Sequence, residues 1–452
     1  MTTALLPADD RQPVQRTGPR WPYALTALLP LALSVAAAGR TAPVLAGAGL
    51  MAALVVLHNV LGAPPLDPCR LALTANTALL VAFPFARLPQ DRTTSYAVVV
   101  STLAVAGSAL LRTAPRPAHA QVLLLWLFGL LAVTSAIAPD PGAVKVVVVA
   151  FAAGGASFLL ATRLSAPGVV GIAETVLLLA AASSVLALVE PRAFPDHLWA
   201  PAQVRPDGTV VNLLNPLLAG VERSQGTLGH PLQLSLLLVV ALALLLGVLP
   251  HLPAALRVGS GALLLVGLVA SGSRSALLGA LALVLVGYRR RRVDQLVTAG
   301  WTVLLLGALV ARQVLSDAPV TSLLRSGSFL HRVSAYESFE KLTFGQPLPH
   351  VLFGNGFLST GRVFDLGLLQ DDGFAVVDNQ LVLTLSQGGV VCLLLLLAVA
   401  GTALLHAGPA LRPAVLTVLV ALLVTDTLVS PPAACLTLLV LGLACRRPAE
   451  GA

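Results

Sequence analysis

The stretch from Pro231 to Leu249, PLQLSLLLVVALALLLGVL, carries no charged residue, and its only polar side chains are Gln233 and Ser235. About 20 helical residues cross the hydrocarbon core of a bilayer, so a run of this character reads as a transmembrane helix and not as a strand of a soluble core. Working outward from it, similar apolar runs fall at 22–39, 43–62, 71–86, 95–111, 121–138, 144–161 and 169–189 on one side. On the other side they fall at 256–271, 275–288 and 295–312, with three more between 379 and 446. Hydrophobic residues make up 57% of the 452 and charged ones 11%, a balance with which no water-facing domain covers its surface. The sequence therefore predicts an all-α integral membrane protein of about 12–14 transmembrane helices.

The net charge of +8 has its ordinary use here in orientation and headgroup contact, so no nucleic-acid partner is read from it. With the N-terminus inside, the cytoplasmic side receives Arg11, Arg16, Arg20, Arg70, Arg112, Arg116, Arg163, Arg257, the run Arg289 to Arg292, Arg412, Arg446 and Arg447. The short outer loops receive only Arg40, Arg87, Arg92 and Lys145, the bias expected of a plasma-membrane protein with both termini cytoplasmic. The predicted organisation is a cytoplasmic tail at 1–21, a helical bundle at 22–189 and an extracytoplasmic segment at 190–230. Further helices follow at 231–312, a long extracytoplasmic loop at 313–378, C-terminal helices at 379–446 and a short cytoplasmic tail at 447–452. The four cysteines show no disulfide or zinc spacing, and the first apolar run reads as a retained helix and not a cleaved signal.

Long polar connections are where a membrane protein meets polar substrate, and four patches carry candidate chemistry. The first, ERSQGTLGHP from Glu222 to Pro231, is either a flexible turn leading into a helix or an anion site. In the second case Arg223 stands beside glycine-rich backbone whose N–H groups, with Gly226, Thr227 and His230, suit phosphate. The second patch, SGSRS from Ser271 to Ser275, places Ser273 and Arg274 between two apolar runs. A charge held there either snorkels to lipid headgroups or has a function. The third, Ser326 to Phe344, spaces Val333, Tyr336, Phe339 and Leu342 as one face of an amphipathic outer helix with Arg332 near its start. The fourth combines FGNGF, containing Gly356, with Asp378-Asn379-Gln380 before a helix holding Gly388-Gly389; Asp378 there is either a helix cap or a catalytic carboxylate.

In this order, RSQGTLGHP, SGSRSA, FGNGF and DNQL resemble the O-antigen ligase and polymerase superfamily, over roughly residues 215–400. Each piece alone is weak, and the ordered set carries the resemblance. It implies a GT-C-like helical bundle with a long extracytoplasmic loop, and a metal-independent, cofactor-free inverting glycosyltransferase. Such an enzyme takes a glycan from an undecaprenyl-diphosphate donor to an acceptor hydroxyl at the outer face. The resemblance also implies that Arg223 and Arg274 sit on the diphosphate and that the Arg332 segment covers the site. Two positions depart from the ligase pattern: Asp378 stands where ligases usually carry His, which is more like polymerase-type relatives, and His230 stands where Asn is common.

Breaking an anomeric C–O bond leaves negative charge on the departing phosphate, which an Arg fork meets with two charge-assisted hydrogen bonds. Asp378 is the best-placed base by sequence order, with Glu222, Glu337, Asp371 and Asp372 as alternatives. The substrate-binding set is Arg223, Arg332, Gly226, Thr227, His230, Ser273, Gly356 and Asn379, with Asp378 and Arg274 catalytic and no metal ligands. The rival class is a transporter or flippase of a lipid-linked or amphiphilic substrate, whose sites usually lie at mid-membrane. Glu174 and Asp426 are the charges read as falling within apolar spans.

Overall fold

The computed structural model describes residues 20–37, 41–61, 66–82, 92–113, 119–137, 154–194, 198, 214–218, 220–277, 279–280, 283, 327–371 and 376–446. The helices are α1 (Trp21–Ala37), α2 (Thr41–Leu61), α3 (Pro68–Ala82), α4 (Arg92–Arg112), α5 (His119–Ile137), α6 (Ala156–Thr162) and α7 (Ala166–Ala193). They continue with α8 (Pro231–Gly247), α9 (Ala254–Ser271), α10 (Gly327–Phe344), α11 (Leu348–Phe353) and α12 (Thr360–Asp365). The chain closes with α13 (Gln380–His406), α14 (Arg412–Val424) and α15 (Pro431–Ala444). Among the described residues there is no strand beyond an isolated bridge between Leu214 and Glu222.

Among the described residues four helices, α5, α7, α9 and α13, are long and apolar enough to cross a membrane, and seven shorter ones are apolar. Their outward faces are apolar too: Leu54, Val60, Trp126, Leu394 and Leu405 are all exposed. Water-facing proteins rarely present such surfaces on helix after helix, whereas lipid-facing bundles do so everywhere. These are the features of a helical membrane protein. The expected spans match the helices α1–α5, α7–α9 and α13–α15 to within a few residues at most ends. The span at 295–312, the Arg289–Arg292 run, residues 1–19 and 447–452 lie outside the described residues, as does most of 144–161 and 275–288.

The centre of the bundle is α3, buried from Cys69 to Ala82. It packs against α1, α4, α6 and α7, and its polar residues are partnered by neighbours. Asn76 donates to Ser157 Oγ at 2.6 Å, Thr74 meets Thr175 at 3.3 Å, and Asp67 caps the helix by accepting from the Cys69 and Arg70 amides at 2.9 and 3.2 Å. Arg70 lies 3.7 Å from the Tyr23 ring centroid and crosses α7 where Gly171 leaves room; a Cβ there would stand 2.1 Å from the guanidinium. Glu174, which the sequence places either within a span or near its end, stands nine residues into α7 and faces Arg20 at 3.2 Å, His251 at 3.6 Å and Arg70 at 3.9 Å. The starts of α1 and α3 and the α8–α9 turn therefore meet α7 in one ionic cluster toward one end of the bundle.

The opposite end departs from the sequence reading in two ways. From residue 327 the expected long loop is largely helical, because α10, α11 and α12 fold onto α13. The buried residues of α10 are Ala335, Ser338 and Leu342; of the expected face Val333, Tyr336, Phe339 and Leu342, Leu342 is buried and Phe339 packs beside it, Tyr336 is exposed, and the Val333 side chain lies outside the described residues. Ser338, small enough to approach closely, donates to Gln370 Oε1 at 3.5 Å, and the Tyr336 hydroxyl donates to Leu423 O at 3.3 Å. Glu190, taken as the start of a polar segment, belongs to α7 and is fully buried.

Candidate active site

The first patch is rigidly built. Arg223 Nε donates to the Ser271 carbonyl at 2.8 Å and the Ser224 amide to Ala270 O at 3.0 Å, so the Arg223 loop lies on the C-terminal end of α9. Asn215 supports the same end by donating to Val269 O and Ala270 O, each at 2.9 Å. Gly272 then turns the chain with φ +66°, and a helical turn begins at Arg274. The structure thus brings the Arg223 loop and the Ser271–Ser275 turn together. Burial pushes the Arg274 guanidinium down from its ordinary value, and its Nε has no hydrogen-bond partner among the described residues.

The glycine-rich backbone does not stand open to a phosphate. Gln225 is right-handed and Gly226 left-handed, at φ −116° and +58°, a pair that turns successive N–H groups inward as an anion-binding nest. The anion in it is the carboxylate of Glu190, whose Oε2 accepts from Gln225 N and Gly226 N at 2.8 Å each. Thr227 is fully buried and donates its hydroxyl to Val81 O at 2.8 Å. His230 caps α8, its Nδ1 accepting from Leu232 N at 3.3 Å. Gly226, Thr227 and His230, expected to hold substrate, thus each have a use inside the fold.

Gly356 has a similar internal use. The break in α13 at Gly389, φ +68°, frees the carbonyls of Ser386 and Gln387. Asn355 N and Gly356 N fill them at 3.0 and 2.8 Å, as unwound backbone in a membrane protein requires. The approach is backbone on backbone: a Cβ at Gly354 or Gly389 would sit 2.4 Å from Gln387 or Leu352 main-chain atoms.

At the start of α13 the capping alternative for Asp378 is overturned. Asn379 is the N-cap, its Oδ1 accepting from Leu381 N at 2.9 Å and Val382 N at 3.2 Å, while its Nδ2 donates to Leu423 O at 3.1 Å. Asn379 is 1% exposed, so it positions the segment, and Asp378 beside it is half-buried. Gln380 Oε1 accepts from Leu428 N at 2.8 Å, which docks the turn between α14 and α15 on the Asp378 segment. That turn carries Asp426, whose carboxyl is pushed up to about 7 by burial first and by the neighbouring Asp378 second. Sequence reading missed its place: an aspartate in an apolar run marks a functional position only once the helix is seen to end at Val424.

A cavity of about 270 Å³ lies between α8, α14 and the segment that follows Gly272. Its lining is mostly apolar, as at Leu236 and Val420, with Ser235, Ser273, Ser275, Thr417 and Thr425 as its polar residues; Arg274 and Asp426 adjoin lining residues in the chain but are not part of the lining. Arg332 lies in α10, whose described part packs on α13; its side chain lies outside the described residues. Among the described residues no group of three His, Cys, Asp or Glu side chains is placed to hold a metal. No protein-family model matches the chain, and no curated protein matches it.

Proposed function

We propose that this chain is a membrane glycosyltransferase of the O-antigen ligase and polymerase type. It transfers a glycan from an undecaprenyl-diphosphate donor to an acceptor hydroxyl in cell-surface polysaccharide assembly. The observation that carries this reading is the seating of the Arg223 loop on the end of α9 beside the turn that holds Arg274, a turn whose Ser273 and Ser275 line an apolar cavity. Two cations brought together next to an apolar slot suit a lipid-linked diphosphate, and Asp378 with its neighbour Asp426 adjoins Thr425 of the same lining.

In this reading Arg223 and Arg274 face the charge that develops on the leaving diphosphate, in a setting of low dielectric where fixed cations are most effective. The acceptor oxygen forms its bond to the anomeric carbon as that carbon's bond to phosphate oxygen breaks, with inversion. The acceptor proton passes to the carboxylate of Asp378, a weak base that takes it only as the new bond forms. The full reading includes about 12–14 spans in a GT-C-like bundle, a plasma-membrane location and a site on the extracytoplasmic side.

A carrier of lipid-linked substrate is the alternative, and a broken helix such as α13 is a feature carriers use. Against it, the carbonyls freed at the break are already filled by Asn355 and Gly356, leaving them closed to a ligand. The deciding experiment supplies purified protein with a polyprenyl-diphosphate-linked repeat unit and analyses the products. Longer or transferred glycan that disappears with Arg274→Ala supports the enzyme. Movement of the lipid across sealed vesicles with no new glycosidic bond supports the carrier.

A further inference from the structure

Beyond the residues assigned above stands a carboxylate that is not part of the cavity lining and is bonded to the loop that carries Arg223. Glu190 is fully buried at the end of α7. A buried carboxylate is costly unless hydrogen bonds compensate it, and here both bonds come from the loop that follows Arg223. One helical turn earlier, Ala187 O accepts from Ser224 Oγ at 2.6 Å. The end of α7 therefore grips Ser224, Gln225 and Gly226 in succession, while the end of α9 holds Arg223 and Ser224 from the other side.

We propose that Glu190 is a positioning residue that fixes the Arg223 loop against α9, so that the Arg223 guanidinium is presented beside the Arg274 turn. The inference rests on the glycosyltransferase reading for its effect on rate, but the tether itself is a property of the fold. The carboxylate does internally what phosphate does in other nests: it satisfies converging N–H groups and freezes the turn. Substrate phosphate is consequently left to the guanidinium groups.

Both amides bond to one oxygen, Oε2, which gives the variants distinct expectations. Glu190→Gln retains a carbonyl oxygen at that place and loses less than about tenfold in kcat/KM, since neutral acceptors make weaker bonds than charged ones. Glu190→Asp is one methylene too short and Glu190→Ala has no acceptor; each loses about 100-fold per folded molecule, the scale of a misplacement of about 1 Å. A purely structural role would lower thermal stability while leaving kcat and KM of the folded fraction at the wild-type values, and that result overturns the inference. Should Glu190→Ala fail to fold, the contrast between the Gln and Asp variants decides. Limited trypsin cleavage after Arg223 reads the tether without reference to catalysis: faster cleavage in the Asp variant than in wild type and Gln is expected, and equal rates overturn the proposal. A wild-type protein that makes no glycosidic bond while its Asp variant is cleaved faster sinks the functional reading and leaves the tether standing.

Discussion

At the scale of single residues, the site depends on what burial does to two charges. Arg274 is drawn below the ordinary guanidinium range by desolvation, and a planar fork is the reason for using arginine there. Arg274→Lys keeps the charge but not the fork, so glycan transfer is expected to fall at least about tenfold, and Arg274→Ala about 100- to 1,000-fold, as when one preorganised donor is removed from an active site. Product assays on matched amounts of folded protein check both. Asp426 carries a proton up to about pH 7 because its carboxyl is raised by burial and by Asp378. Its folded value exceeds the unfolded one, so the associated stability is fully present below the ordinary carboxylate value and is lost as pH rises through about 7. Asp426→Asn should flatten that dependence in thermal unfolding between about pH 4 and about 7; an unchanged slope would refute the assignment. Arg223 and Arg274 were legible in the sequence because each follows or precedes glycine in a polar break between apolar runs. Glu190 and Asp426 were not, since their roles depend on partners 35 residues away in one case and across the α13–α14–α15 packing in the other.

At the scale of elements, hydropathy located most helix ends well because lipid imposes one length and one polarity on every span. What it missed were features set by contact between elements. Gly356 of FGNGF reads as substrate-binding and Gly388-Gly389 only as part of the helix that follows, yet they are two halves of one joint in which the loop repairs the broken helix. Alanine at Gly389 meets both a left-handed φ of +68° and the Leu352 main chain at 2.4 Å. A cost of about 2–4 kcal/mol is expected from strain and overpacking together, visible as a lowered melting temperature in detergent. Alanine at Gly401, which has open space around it, is the control and should melt within a degree or two of wild type, since substitutions away from such features change stability little. On α10 the expected face holds at Leu342 and Phe339, which pack into the cluster with Val363 and Leu369, and fails at Tyr336, because the helix also docks through Ser338 on Gln370.

At the scale of the whole molecule, the bundle has two chemically distinct ends. One is locked by the Glu174 cluster with Arg20, Arg70 and His251; the other holds the Arg223 loop on the Arg274 turn and the Asp378 segment on the Asp426 turn, and Ser273, Ser275 and Thr425 from these turns line one cavity. All four native cysteines are buried, so single cysteines introduced at the exposed positions His251 and Glu337 report on the two ends separately. In sealed, right-side-out vesicles an impermeant thiol reagent should label Glu337→Cys and spare His251→Cys; the reverse pattern would put the site on the cytoplasmic side. In the proposed reading the Arg223 and Arg274 guanidinium groups serve one diphosphate. A double-mutant cycle on the affinity of purified protein for a polyprenyl diphosphate, with Arg223→Ala, Arg274→Ala and both together, measures this. Groups that share a ligand are coupled, so each single change should weaken binding at least about tenfold and the double change by clearly less than the product of the two. Losses that multiply as independent effects, or single variants that bind as wild type does, would contradict it.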